Sequence, residues 1–306
     1  MAYSHEGHSH GPGHHHGTNN KKALGLAFFI ITIYMIVEVI GGFVTNSLAL
    51  ISDAGHMLSD SVALGVSFLA LKLGGKQPTS TKTFGFKRFE ILAAFLNGIA
   101  LIVISIYILW ESYKRFLNPP EVMSSGMLTI SIIGLLVNIA AAFILMRGDT
   151  SENLNVRSAF LHVMGDLLGS VGAIIAALLI MFFNWGIADP IASVIVSILI
   201  IISGWRVTRD SFHILMEGTP SNIDASALKK SLLSLGEVKD VHDLHIWSIT
   251  SDFPALSCHL VVDNQVENES VLSKAKKILH DEFHIEHTTI QIDKEHSACK
   301  DHNHCN

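Results

Sequence analysis

SLALISDAGHMLSDSVALGVSFLALKL, residues 47–73, is an apolar run with a histidine and an acid, His56 and Asp60, set four residues apart inside it. The run exceeds the ~20 residues that a helix needs to cross a bilayer, and at ~1.5 Å rise per residue His56 falls well inside the span. Residues four apart lie on one face of an α-helix about a turn apart, so an imidazole and a carboxylate stand side by side. The same His-x-x-x-Asp spacing returns at His162 and Asp166, inside the apolar run 159–183. An Asp at the bilayer centre costs ~2.5–3.5 kcal/mol on insertion scales, and no Lys or Arg in the core of any apolar run can neutralise one here. A metal dication offsets that cost, and two such faces make four ligands.

Two imidazole nitrogens and two carboxylate oxygens suit Zn²⁺ in tetrahedral geometry at ~2.0–2.2 Å, better than the six or more oxygens wanted by Ca²⁺ or Mg²⁺. Cd²⁺, Co²⁺, nickel or iron can use the same ligand types, so ligand identity favours zinc without excluding these. An intramembrane metalloenzyme would keep an open position for water, and four protein ligands argue against it. A zinc channel, whose flux would need no counter-moving proton, and a sensor that would tolerate loss of Asp60 and Asp166 are the remaining alternatives.

Around this pair the 306 residues are 49% hydrophobic and 16% charged, with mean hydropathy +0.42, too apolar for an ordinary soluble domain. Apolar runs of spanning length cover 23–44, 47–73, 89–113, 127–146, 159–183 and 187–207, predicting an α-helical polytopic membrane protein with six transmembrane helices. Gly41, Gly42 and Asn46 separate the first two, and Asn118, Pro119 and Pro120 close the third. Lys and Arg gather at Lys21, Lys22, Lys72, Lys76, Lys82, Lys87, Arg88, Arg147, Arg157, Arg206 and Arg209, all on one side of the six spans. Only Lys114 and Arg115 oppose them, so both termini are expected in the cytoplasm. Glu38, Asn97, Asn138 and Asp189 read as interhelical hydrogen-bonding residues, with a water path or proton relay as the alternative for Glu38.

A net charge of −6 with no basic block gives no surface for nucleic acid. The N-terminus lacks the plan of a signal peptide, and Cys258, Cys299 and Cys305 are too few for a disulfide framework. No Gly-x-x-x-x-Gly-Lys-Ser/Thr loop or phosphorylated-Asp signature points to ATP, which leaves the proton gradient as the driving force.

Past Met216 the polar turn Glu217-Gly218-Thr219-Pro220 opens a soluble part, with a helix expected near 225–235, strands near 238–249 and 255–262, a helix near 269–283 and a strand near 287–292. The order is αββαβ. Four parts result: a His-rich head at 1–20, a transmembrane domain at 21–210, a cytoplasmic α+β domain at 211–295 and a Cys/His-containing tail at 296–306. The head, with His5, His8, His10, His14, His15 and His16 among glycines, binds metal loosely and builds no packed site.

The doubled motif, Asn46-Ser47-Leu48-Ala49-Leu50, Phe84-Gly85-Phe86-Lys87-Arg88-Phe89-Glu90 and Val241-His242-Asp243-Leu244-His245-Ile246-Trp247 resemble the cation diffusion facilitators over nearly the whole chain. The resemblance is greatest to the zinc-transporting branch, which includes bacterial cobalt-zinc-cadmium resistance proteins. It implies a homodimer in a bacterial inner membrane, metal/proton antiport giving metal homeostasis and resistance, and a ferredoxin-like cytoplasmic domain. His56, Asp60, His162 and Asp166 match the family's transport site. His242, His259 and Asp293 resemble its cytoplasmic metal ligands, while Gln291 stands where some relatives have His. Of the residues that could replace that ligand, His245, His284, His287, Glu295 and the tail are the candidates. Arg88 and Glu217 resemble a charged contact between the membrane and cytoplasmic parts. Zn²⁺ is thus expected as transported substrate and as regulatory ligand, with Cd²⁺ or Co²⁺ as further substrates and no organic cofactor.

Overall fold

A computed structural model describes residues 16–58, 61, 79–146, 154–250 and 252–294. Helices α1 (His16–Thr45), α3 (Phe89–Leu117), α4 (Ser124–Met146), α5 (Leu154–Phe183) and α6 (Ala188–Leu215) contain the first and the third to sixth apolar runs or most of them, and α2 (described over Leu48–Leu58) covers the start of the second. Five of them, all but α2, are long and apolar enough within the described residues to cross a membrane. The continuation of the second run, including Asp60, lies outside the described residues. Large apolar side chains such as Phe43, Val103, Trp110, Phe143, Leu168 and Phe182 are exposed along these helices, as a lipid-facing surface requires.

The chain divides into two compact units, residues 1–62 with 100–203 and residues 63–99 with 204–306. In the first, α4 packs against α1 and α5. Small residues permit close approach between membrane helices, where packing and interhelical hydrogen bonds replace hydrophobic exclusion. Gly134 of α4 shows why. A Cβ there would collide with Tyr34 of α1, whose hydroxyl lies 3.2 Å from both the Ile130 carbonyl oxygen and Glu38 Oε1. Between α4 and α5, buried Asn138 donates to Ser170 Oγ at 3.3 Å.

The second unit holds the soluble fold: α7 (Ala225–Leu233), β1 (Val238–Thr250), β2 (Phe253–Val262), α8 (Asn268–Phe283) and β3 (His287–Lys294). The αββαβ order read from the periodicity is the observed one, as an α+β domain. Asp224 starts α7 by accepting from Ser226 N at 2.8 Å and Ala227 N at 3.2 Å, an ordinary N-cap. The sheet order is β1-β2-β3, with β1 antiparallel and β3 parallel to β2. A parallel neighbour requires a crossover, and α8 supplies it. Leu228 and Leu232 of α7 and Val271, Ala275 and Leu279 of α8 bury one stripe each against Val241, Leu256, Leu260 and Val262 of the sheet.

Candidate functional site

In the membrane part, α2 and α5 bring their ligand candidates together. His56 Nε2 stands 3.8 Å from Asp166 Oδ1, and the Asp166 side chain is almost wholly buried. His162 lies on α5 one turn before Asp166, on the same helical face. Its side chain, like all of Asp60, is outside the described residues.

Two further acids border this pair. Asp53 of α2, 3% exposed, is three residues before His56, and α5 passes it so closely that a Cβ on Gly169 would lie 2.8 Å from Asp53 Oδ1. Glu38 of α1, 1% exposed, interacts with the Asp53 carboxyl. Carboxyls from three helices therefore converge beside one imidazole in a low-dielectric interior. Like charges so placed are tolerated only with a cation or bound protons among them. The hydrogen-bonding role expected of Glu38 is supported by its contact with Tyr34, whereas Asp53 carried no expectation from sequence. The i, i+3 spacing of Asp53 and His56, which share a helix face, is the signal that could have found it.

In the soluble part, His242 of β1 pairs with His259 of β2, and Asp293 of β3 lies two residues beyond the partner of His259. Asp293 Oδ2 is 3.1 Å from His259 Nδ1 and 3.3 Å from His242 Nε2, and one ligand atom from each of the three residues lies within 4.8 Å of the others. Neither ring nitrogen of His242 makes a hydrogen bond, although the side chain is largely buried. Buried polar atoms are ordinarily satisfied, so an imidazole held this way suits a metal ion. A break in the β1–β2 register between His242 and His245, with Asp243 at φ 50°, re-aims the chain beside the cluster.

Gln291 does not stand as a fourth ligand: its Nε2 donates to Asp293 Oδ1 at 2.9 Å and so orients the carboxylate. None of the other candidates within the described residues joins the cluster of His242, His259 and Asp293. His245 Nε2 is 2.9 Å from Asp243 Oδ1, His284 ends α8 in the left-handed conformation at φ 55°, and His287 packs edge-on against Phe84 and Phe253. Glu295 and the 296–306 tail lie outside the described residues, as does the 1–15 portion of the head. Arg88 Nη2 and Glu217 Oε1 meet at 3.1 Å, the contact expected from the resemblance.

Comparison with known proteins matches the chain to two family models. The family model described as the cation efflux transmembrane domain matches residues 24–216, and that of the cation efflux protein cytoplasmic domain matches residues 220–295. The chain therefore belongs to the cation efflux, or cation diffusion facilitator, family: it is a multi-pass membrane transporter and not an enzyme. Among its relatives, the cadmium, cobalt and zinc/H(+)-K(+) antiporter of Bacillus subtilis is 58% identical over 92% of this chain and 92% of that protein. Zinc transporter ZitB of Escherichia coli is 44% identical over 96% and 93%, and the metal cation efflux system protein CzcD of Cupriavidus metallidurans 40% over 92% and 90%. A solved metal-bound C-terminal domain of the CzcD transporter is 42% identical over 23% of this chain and 99% of that one, with a TM-score of 0.23.

Proposed function

We propose that this protein exports Zn²⁺, with Cd²⁺ and Co²⁺ as further substrates, from the cytoplasm in exchange for protons, through a site formed by His56, Asp60, His162 and Asp166. The reading includes a homodimer in a bacterial inner membrane with both termini cytoplasmic, and a regulatory zinc on His242, His259 and Asp293. The observation that carries it is the approach of His56 and Asp166 across α2 and α5 at 3.8 Å, in a membrane interior that otherwise disfavours a carboxylate. The activities for which the Bacillus and Escherichia relatives are named, antiport and zinc transport, support the cargo and the exchange.

The proton coupling follows from ligand chemistry. His56 and His162 bind metal only when neutral, and Asp60 and Asp166 only when ionised, so zinc entering the site displaces protons and protonation releases zinc. Alternating access then binds zinc from the inside, frees it toward more acidic surroundings and returns the site protonated. The test is zinc uptake into inverted-orientation proteoliposomes with an acid interior, comparing the intact chain with Asp60→Ala and Asp166→Ala. Uptake with lumenal alkalinisation, absent from both variants, is the expected result. Zinc uptake at the same rate with no counter-movement of protons would refute the exchange, and uptake by either variant at the intact rate would refute the site. Including K⁺ on one side only tests whether the second counter-ion in the Bacillus relative's name applies here.

A further inference from the structure

The connection from α1 to α2 carries the Asn46-Ser47-Leu48-Ala49-Leu50 motif, which the ligand set does not use. Ser47 caps α2, its Oγ accepting from Leu50 N at 3.3 Å. The same hydroxyl donates to Asp189 Oδ1 at 2.6 Å across 142 residues of sequence. Asp189, fully buried in the first turn of α6, also accepts from the first two backbone N–H groups of α2, Leu48 N at 2.8 Å and Ala49 N at 3.1 Å. One carboxylate thus satisfies two of the four donors a helix start leaves over and sits at the positive end of the α2 dipole.

The charge is balanced nearby. Arg115 Nη1 of α3 lies 3.9 Å from Asp189 Oδ2, and Arg115 donates to Asn46 O at 2.7 Å and Asn46 Oδ1 at 3.0 Å. Asn46 makes the turn between the helices at φ 56°, a conformation that Asn tolerates better than most residues. A second tie between α2 and α6 follows at Ser52 and Ser197, whose hydroxyls are 3.4 Å apart.

We infer that Asp189 is a positioning residue for transport: it clamps the first turn of α2 to the start of α6 and so sets the rotation and height of His56, two turns further along. The inference rests on reading His56 as a metal ligand. The leverage is large, because an atom ~6 Å from a helix axis moves about 0.5 Å for a rotation of roughly 5°, whereas metal–ligand distances hold to about 0.2 Å. Charge-assisted hydrogen bonds are among the strongest that can hold such an angle.

The experiment measures initial zinc uptake against zinc concentration in proteoliposomes for the intact full chain, Asp189→Asn, Ser47→Ala, Ser47→Thr and Asp60→Ala, each normalised to folded, reconstituted protein. Asp189→Asn should raise the half-saturating zinc concentration ~10–100-fold while the maximal rate stays within about threefold, because ligand alignment suffers and the fold does not. Ser47→Ala should shift it in the same direction by several-fold, and Ser47→Thr, which keeps the hydroxyl, should restore it. Half-saturation unchanged in both Asp189→Asn and Ser47→Ala overturns the inference. If Asp189→Asn does not fold, the Ser47 pair decides alone: an unchanged value for Ser47→Ala overturns it. Uptake by Asp60→Ala at the intact rate would instead retire the transport-site reading and this inference with it, a result distinct from inactive Asp60→Ala beside unshifted Ser47 and Asp189 variants.

Discussion

Replacing Gly169 by alanine adds one methyl group where α5 passes Asp53 of α2. The new carbon would lie 2.8 Å from Asp53 Oδ1, against the 3.4 Å at which ordinary contact begins, so about 0.6 Å of separation must be found. Asp53 has no water to turn toward, being 3% exposed with Glu38 beside it, and the movement falls on α2, α5 or both. Those helices carry His56 and Asp166, and a metal site tolerates displacements of only about 0.2 Å. We expect the half-saturating zinc concentration for uptake to rise ~10–100-fold, the range seen when the supports of metal ligands are disturbed. Gly172, nearly one turn along the same helix, is the control: a Cβ there meets nothing within 4 Å. Both changes gain the ~1 kcal/mol that alanine contributes over glycine to a helix, so their difference isolates the contact with Asp53. The assay is concentration-dependent uptake in proteoliposomes, with both variants checked for equal folded yield. Coincident curves for Gly169→Ala and Gly172→Ala would refute the reasoning.

Removing the charge of either Arg88 or Glu217 should lower thermal stability by less than ~1 kcal/mol, since the side chains are 40% and 63% exposed, while a double-mutant cycle on transport rate should show coupling; strictly additive rates would remove any role for the contact. The Cys258 thiol, pushed up to about 12 by burial, should resist maleimide near neutral pH in the folded chain and react after denaturation, and rapid labelling of native protein would contradict its place in the core. Lys274 hydrogen-bonds Glu237 and holds that exposed carboxyl below its ordinary range. Stability from this contact is present above the ordinary carboxylate pKa and disappears as pH falls through the lowered folded-state value, so Glu237→Gln should flatten the acid side of the melting profile. An acid limb identical to that of the intact chain would count against it.

The soluble domain was legible because its elements are amphipathic: the helix expected near 269–283 is observed at Asn268–Phe283, with Val271, Ala275 and Leu279 recurring at helical spacing. His56 and Asp166 stood out as candidates for a related reason, a His-x-x-x-Asp spacing repeated at one helical turn in surroundings that tolerate few polar groups, and the structure brings these two within 3.8 Å. Asp189 was legible only as a polar residue near a helix start, because its partners Ser47, Leu48 and Ala49 lie 140 to 142 residues away and local patterns do not report such distances. The orientation of Asp293 by Gln291 was similarly hidden. Sequence marks position 291 as lacking a ligand, but the hydrogen bond that gives Gln291 another task depends on strand geometry.

The regular pairing of β2 with β3 has a mechanical side. Phe253 stands six residues before His259 on β2, and His287 six before Asp293 on β3, so each pair shares a face of its strand. At ~3.3 Å per residue the two ends are about 20 Å apart. At the near end, Phe253 and His287 hold the segment before α3: Phe84 packs on His287 with ring centroids 5.6 Å apart, and Lys87 Nζ sits 4.0 Å from the centre of the Phe253 ring. At the far end stand His259 and Asp293. A hydrogen-bonded pair of strands is stiff along its length, so the two ends form one lever, and a tilt that closes the histidine end must be felt as a displacement at the aromatic grip.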